Sequence, residues 1–144
     1  MAGFAFDTRA IRQAFRSRLL EIEGLPTIIA WQNRPFEPPT DGSIWMRETL
    51  LVAYDLRAAV GLVQSGGQYR VDLFGPDDSG TEQLEDLSRK LTTSFVPGWV
   101  LYQDGRDSLE VLSTSRTPRR RDGIWGHLPV SITWTAMAEL SAGE

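Results

Sequence analysis

Along residues 7–23, "DTRAIRQAFRSRLLEIE", the apolar residues Ile11, Phe15, Leu19 and Ile22 return every three or four positions, a period that stacks them on one stripe of an α-helix. Asp7 is placed to cap its start, and Gly24 followed by Pro26 to stop it. "TIIAWQN" (27–33) reads as a short buried strand leading into "RPFEPPTDG" (34–42), an extended loop with three of the eight prolines. From Ile44 the period becomes two. Ile44, Met46, Leu50, Val52 and Tyr54 share one side, Glu48 interrupts them, and Arg47 and Thr49 face the other way, which predicts a strand. Residues 55–67 carry no clear period, and Gly66-Gly67 is expected to close them as a turn. Tyr69, Val71 and Leu73 then alternate with Gln68, Arg70 and Asp72, giving a strand with one dry and one wet face.

Gly75-x-x-x-x-Gly80 copies the glycine spacing of a phosphate-binding loop, but the lysine that should follow is Thr81 and the loop holds Asp77 and Asp78. A phosphate would meet two carboxylates and no cation. The structural reading is stronger: Gly75-Pro76 is a turn, Ser79-x-x-Glu82 matches a capping box, and Glu82, Glu85 and Asp86 precede Arg89 and Lys90 in the order a helix dipole favours. Leu84, Leu87, Leu91 and Phe95 form the apolar stripe of this second helix.

After Pro97-Gly98, "WVLYQD" and "SLEVLSTS" are two short strands around the hairpin dipeptide Asp104-Gly105. The last strand is the longest. Leu128, Val130, Ile132, Trp134, Ala136 and Ala138 share one face, and Ser131, Thr133 and Thr135 the other. Pro129 has no amide hydrogen, which places the start of that strand at an edge or bulge. The order helix, strands, helix, strands predicts a single α+β domain over residues 1–144, a mixed, largely antiparallel sheet with two main helices packed on one face.

Composition adds exclusions. The chain has 144 residues, enough for one substantial core, and no apolar run long enough to span a membrane or signal-peptide layout, so it is expected to be cytoplasmic when made. The absence of cysteine removes disulfides, thiolate metal sites and cysteine nucleophiles. With His127 as the one histidine and no calcium-loop pattern, neither metal nor cofactor is expected. His127 reads as a structural or exposed residue; a hydrolase would need it in a cleft beside a serine and a carboxylate. The carboxylate pairs Asp77-Asp78 and Glu85-Asp86 belong to a turn and a helix surface. No catalytic set emerges.

The net charge is −4, and all but one of the 15 basic residues are arginine, the exception being Lys90. Arg9, Arg12 and Arg16 line one face of the first helix, as a solvated or subunit-facing stripe. Arg116, Arg119, Arg120 and Arg121 cluster in "SRTPRRRDGIWG" (115–126), near Trp125 and the turn pair Asp122-Gly123. That cluster fits a solvated hairpin end or contact with an acidic protein surface about equally, with nucleic acid below both. Five tryptophans exceed what a core this small needs, and surplus aromatics beside abundant arginine favour protein interfaces.

The segments "LEIEGLPTIIAWQNRPFEPPTDGSIWMRETL" and "GGQYRVDLFGPDDSGTEQLEDLSRKLTTSF", behind an N-terminal helix, resemble the tail terminator proteins of long, non-contractile-tailed bacteriophages and related prophages. The likeness is strongest over residues 5–95, with Trp45 and Arg47 at the start of the strand after the proline loop. It implies a structural protein without cofactor: a homo-hexameric ring at the neck of the virion that caps the tail tube, halts its polymerisation and meets the head connector, assembled in the host cytoplasm. Its partners would be other copies of itself, the tail tube protein and the connector protein, with DNA only as genome passing through the lumen and no membrane. A closed ring needs two different complementary patches on each subunit. Opposite charge nominates Arg9, Arg12 and Arg16 for one, and Asp77, Asp78, Glu82 and Glu85 for the other. Arg116, Arg119, Arg120, Arg121 and Trp125 are then expected on a mobile loop facing tube, connector or lumen. The alternatives are another neck or tail-completion protein and a small nucleic-acid-binding module.

Overall fold

A computed structural model of the chain describes residues 7–76 and 82–139. Helix α1 spans Thr8–Glu21; the Asp7 carboxylate accepts from the Ala10 amide at 3.1 Å, and the helix ends at Ile22, ahead of Gly24 at φ +85°. Helix α2 runs Glu82–Ser94, so the expected Ser79 cap lies outside the described residues. Ile11, Phe15 and Leu19 of α1 and Leu84 and Leu91 of α2 are buried, as the period of each stripe requires.

The strands are β1 (Ile29–Ala30), β2 (Trp45–Ala59), β3 (Leu62–Pro76), β4 (Val100–Asp104), β5 (Asp107–Arg116), β6 (Arg120–Asp122) and β7 (Trp125–Glu139). They form one sheet in the order β1-β2-β3-β7-β5-β4, with β6 also on β7. Only β1–β2 is parallel; every other pair is antiparallel. The sheet outweighs the helices and curls into a half-barrel.

Leu109, Val111, Leu128, Val130, Ile132 and Trp134 join the buried side chains of both helices in the main core. Phe15 is at its centre, stacked on Tyr69 at 4.6 Å and tilted against Phe95 and Trp134. A smaller cluster of Ala30, Trp45 and Phe74 lies on the opposite side of the sheet, packed by Ile28, Phe36 and Trp125.

Several expectations change. The short run "TIIAWQN" contributes only the two residues of β1 to the sheet. Residues 55–67 are the second half of β2 and the start of β3, joined through Val60-Gly61 with Gly61 at φ +72°. Gly66 and Gly67 are not a turn. They pair with Tyr54 and Val52 in mid-strand, where a Cβ on Gly66 would strike the Tyr54 phenol and one on Gly67 would overlap the Leu51 carbonyl. Asp72, placed on the wet face by alternation, is 2% exposed, because the smaller aromatic cluster and the side chains of Arg47, Arg70 and His127 crowd that end of the sheet's second face.

Pro129 lies in a central strand yet at a local edge. β5 leaves β7 at Arg116↔Val130 and β6 joins it at Arg120↔His127, and in the gap the Thr117 amide donates to the Pro129 carbonyl at 3.0 Å. The nitrogen without a hydrogen faces that gap, where no strand amide is needed.

Candidate functional site

Two charged networks tie the elements together, one on each face of the sheet. On the face that α1 packs against, alternation carries Glu48 of β2 inward between Met46 and Leu50, and it is fully buried. Arg16, the residue after Phe15 on α1, reaches it with Nε at 3.2 Å and Nη2 at 2.5 Å from Oε1. The Gln32 amide donates to the same oxygen at 3.0 Å, and the Arg16 guanidinium also lies 4.9 Å above the Trp31 indole. Burial alone would push the Glu48 carboxyl up; the Arg16 and Gln32 hydrogen bonds outweigh it and hold the group below the usual carboxylate range. The buried Tyr69 hydroxyl faces the same carboxylate and helps hold it down, while burial, and next the Glu48 charge, raises the Tyr69 hydroxyl well above an ordinary phenol.

On the opposite face, side chains from four strands meet. Arg47 of β2 lies 3.5 Å from Asp72 of β3, Asp72 Oδ1 is 2.8 Å from His127 Nε2 of β7, and Arg120 Nε of β6 donates to His127 Nδ1 at 3.3 Å. Since Nδ1 accepts, Nε2 carries the proton and donates to the carboxylate. Burial pushes Asp72 up, and the His127 bond with Arg70 and Arg47 more than offsets it, leaving the carboxyl below its usual range. Phe74 stacks on the His127 ring at 4.4 Å and on Trp45 at 4.1 Å. His127 has the carboxylate neighbour that a hydrolase reading required, but both ring nitrogens are occupied, one by Arg120 and one by Asp72, so neither is placed to take a proton from a hydroxyl. Among the described residues, no group of histidine and carboxylate side chains is placed to share a metal ion, and no helix is long and apolar enough to cross a membrane.

The residues nominated from sequence divide accordingly. Of the α1 stripe, Arg9 is exposed, Arg12 is half-buried with Nη2 3.4 Å from Gln32 Oε1, and Arg16 is the partner of Glu48. Glu82 and Glu85 are exposed in the first turn of α2, whereas Asp77 and Asp78 lie outside the described residues. Most of the arginine cluster lies in strands: Arg116 ends β5, Arg120 and Arg121 pair with β7, and Arg119 is in the short connection between β5 and β6. The cluster divides between two sides. Arg116 and Arg119 border a groove of about 430 Å³ against Glu85 and Arg89 of α2, while Arg120 turns to His127 on the other face. Gly126 makes this possible, because a Cβ there would meet the Arg119 guanidinium. Trp125 is half-buried, edge-on to Trp45 at 5.7 Å.

The Asp72–His127 contact was not visible in the sequence, since the two are 55 positions apart and alternation pointed Asp72 at solvent. Glu48 did leave a signal: a lone acid in an apolar alternation, matched by arginines flanking the apolar stripe of a helix.

A family model described as phage tail terminator protein matches residues 10–134. No curated protein matches the chain. Eight solved chains match it, and one superimposes with a TM-score of 0.60 over 88% of this chain and 92% of its own length, at 24% identity, a likeness that shows the fold alone.

Proposed function

The chain belongs to the phage tail terminator family, a family of structural tail-completion proteins, and from that premise we propose that it forms a ring on the end of the tail tube. The ring halts tube polymerisation at that end and presents a surface to the head connector. The observation that carries this reading is the family match over residues 10–134. Six copies, assembled in the host cytoplasm and carried into the virion neck, are the form the reading predicts, with no cofactor and with DNA only as passing genome.

Within that ring, exposed Arg9 on one subunit meets the acidic start of α2, Glu82 and Glu85, on the next, a pairing supported by opposite charge and by exposure of all three residues. Arg16 and Arg12 serve the pairing indirectly by fixing α1 on the sheet. The Arg116–Arg121 cluster and Trp125 face tube, connector or lumen. Arg119 and Arg120 also pack on Gly126 and His127, so the informative variant reverses Arg116 and Arg121, both exposed.

The test is light scattering coupled to size-exclusion chromatography, with and without purified tail tube protein, followed by negative-stain imaging of tube ends. Rings at tube ends and tubes of arrested length are the expected result. A protein that stays monomeric and leaves tube growth unchanged overturns the proposal; salt-sensitive DNA binding by that monomer would favour a nucleic-acid module instead.

A further inference from the structure

We propose that neighbouring subunits join by strand addition, the outer edge of β2 between Val52 and Ala59 taking the free edge of β4 from a second copy. This rests on the ring reading and deepens it. The outer edge of β2 is paired at its start by β1, through Ile29↔Met46 and Ala30↔Arg47. Where β1 ends, a side chain takes over: the Leu50 amide donates to Gln32 Oε1 at 2.9 Å, and Gln32 Nε2 donates to the Leu50 carbonyl at 3.4 Å. Beyond Leu50, no described strand pairs with this edge.

The uncovered stretch is apolar. Leu51 is 44% exposed, Val52 and Tyr54 39%, Leu56 45% and Val60 84%. An open edge carrying such residues invites pairing, and proteins that stay monomeric blunt theirs with charge or proline. Here the run carries two charges, Asp55, which accepts from the Ser65 hydroxyl on β3, and Arg57, and no proline. Register shifts fall between Val52 and Tyr54 and between Arg57 and Ala59, so the regular stretch is Tyr54–Arg57. That stretch suits a short partner strand rather than a long one.

β4, Val100–Asp104, is such a strand. It ends the sheet opposite β1, pairs only with β5 among the described residues, and lies beside exposed Trp99 and Val100 at 39% and 47%. Joining β2 to β4 uses two different surfaces of each subunit, the head-to-tail arrangement that can close a ring, whereas β2 on β2 would stop at a dimer. A ladder of about five residues is only ~17 Å long. Reaching the ~800 Å² per partner of a stable interface therefore requires the flanking apolar side chains to be covered as well.

Because the chain contains no cysteine, the contact can be read by cross-linking the full-length protein on purified tail tubes with a short bismaleimide. Leu56→Cys and Gln103→Cys variants, both at exposed positions, should link to each other when mixed, and the double variant should give a covalent ladder ending at the size of the ring. A Leu56→Cys variant that links to itself as a dimer overturns the proposal. Rings that form without the mixed link also overturn it while leaving the ring reading intact. Mixed links in open ladders without closed rings support the strand contact and overturn the ring. Absence of both rings and links overturns both. Val52→Lys with Leu56→Lys should weaken subunit association at least about tenfold with unchanged circular dichroism and melting temperature; undiminished association refutes the β2 edge.

Discussion

Replacing Arg16 by methionine keeps a side chain of similar length against Trp31 but removes both hydrogen bonds from guanidinium to Glu48. The carboxylate left behind is fully buried and retains the Gln32 amide and the Tyr69 hydroxyl but no counter-charge from Arg16. Breaking a buried ion pair by removing one partner costs about 3–5 kcal/mol. The Arg16 side chain is 20% exposed, so water screens part of the wild-type attraction, and about 2–4 kcal/mol is the expected loss. For a chain of this length that corresponds to a melting temperature lower by about 4–16 °C. The sign of the pH dependence is fixed by the same contacts. In the wild type, the folded Glu48 pKa lies below its ordinary value of 4.5, so its contribution is present above that value and is lost as pH falls through the folded pKa. In the variant, burial acts without the guanidinium and pushes the carboxyl up, so the folded state gains by taking a proton as the solution becomes acidic. The stability gap should therefore be widest near pH 7 and narrow toward about pH 4, and Arg16→Met combined with Glu48→Gln should recover most of it. Urea unfolding followed by tryptophan fluorescence, at a protomer concentration where no ring forms, reads the loss, its pH dependence and its recovery, and a thermal melt reads the shift in melting temperature. A loss below about 0.5 kcal/mol, or a gap that does not change with pH, refutes the argument.

Asp72→Asn should also destabilise at neutral pH, by about 1–3 kcal/mol, since it removes the counter-charge of Arg47 and Arg70 and turns the charged acceptor of His127 into a neutral amide oxygen. The wild-type Asp72 contribution is present above 3.8 and lost below it, so the two melting curves should approach each other in acid. Gly67→Ala should cost about 1–3 kcal/mol or more in urea unfolding, because the added methyl meets a backbone carbonyl that can yield only by parting β2 from β3. Phe15→Ala should cost about 3–5 kcal/mol by the same measure, as it empties the contact with Tyr69, Phe95 and Trp134. Arg116→Glu with Arg121→Glu should leave the melting temperature within a few degrees of wild type while reducing head–tail joining, scored as tails that fail to acquire heads in an in vitro assembly mix.

What the sequence disclosed depended on how local the deciding interaction was. Helix α1 was readable down to its cap, because the 3.6-residue stripe and Asp7 act within a few residues of each other. Pro129 was readable as a local edge because a missing amide hydrogen is a property of the residue itself. Gly66-Gly67 was misread because glycine serves turns and close approaches alike; here the reason is a phenol and a carbonyl on the neighbouring strand. Asp72 was misread because alternation tells two faces apart without saying that the second will be covered, and its neighbours there, the aromatic cluster around Trp45 and Phe74 and the side chains of Arg47 and His127, come from separate strands. The resemblance over residues 5–95 needed only the order of segments, and the family match to 10–134 bears it out.

The same distinction explains how the molecule separates rigidity from exposure. Both buried networks anchor the first half of the long strands: Arg16 ties α1 to β2 at Glu48, and Arg47 joins β2 to β3, β7 and β6 through Asp72 and His127. Past Leu50 the anchoring ends, and no described strand pairs with the outer edge of β2. A strand held this firmly over its first six residues cannot slide in register, since a one-residue slip would turn Glu48 away from Arg16 and Arg47 from Asp72. The exposed half is consequently presented in one fixed register, which lowers the ordering cost of binding a partner strand. Weakening the Arg16–Glu48 anchor should therefore impair subunit association as well as folding, even though neither residue lies on the open edge. If Arg16→Met assembles as well as the wild type at a temperature where both are folded, the two halves of β2 act independently and this coupling is refuted.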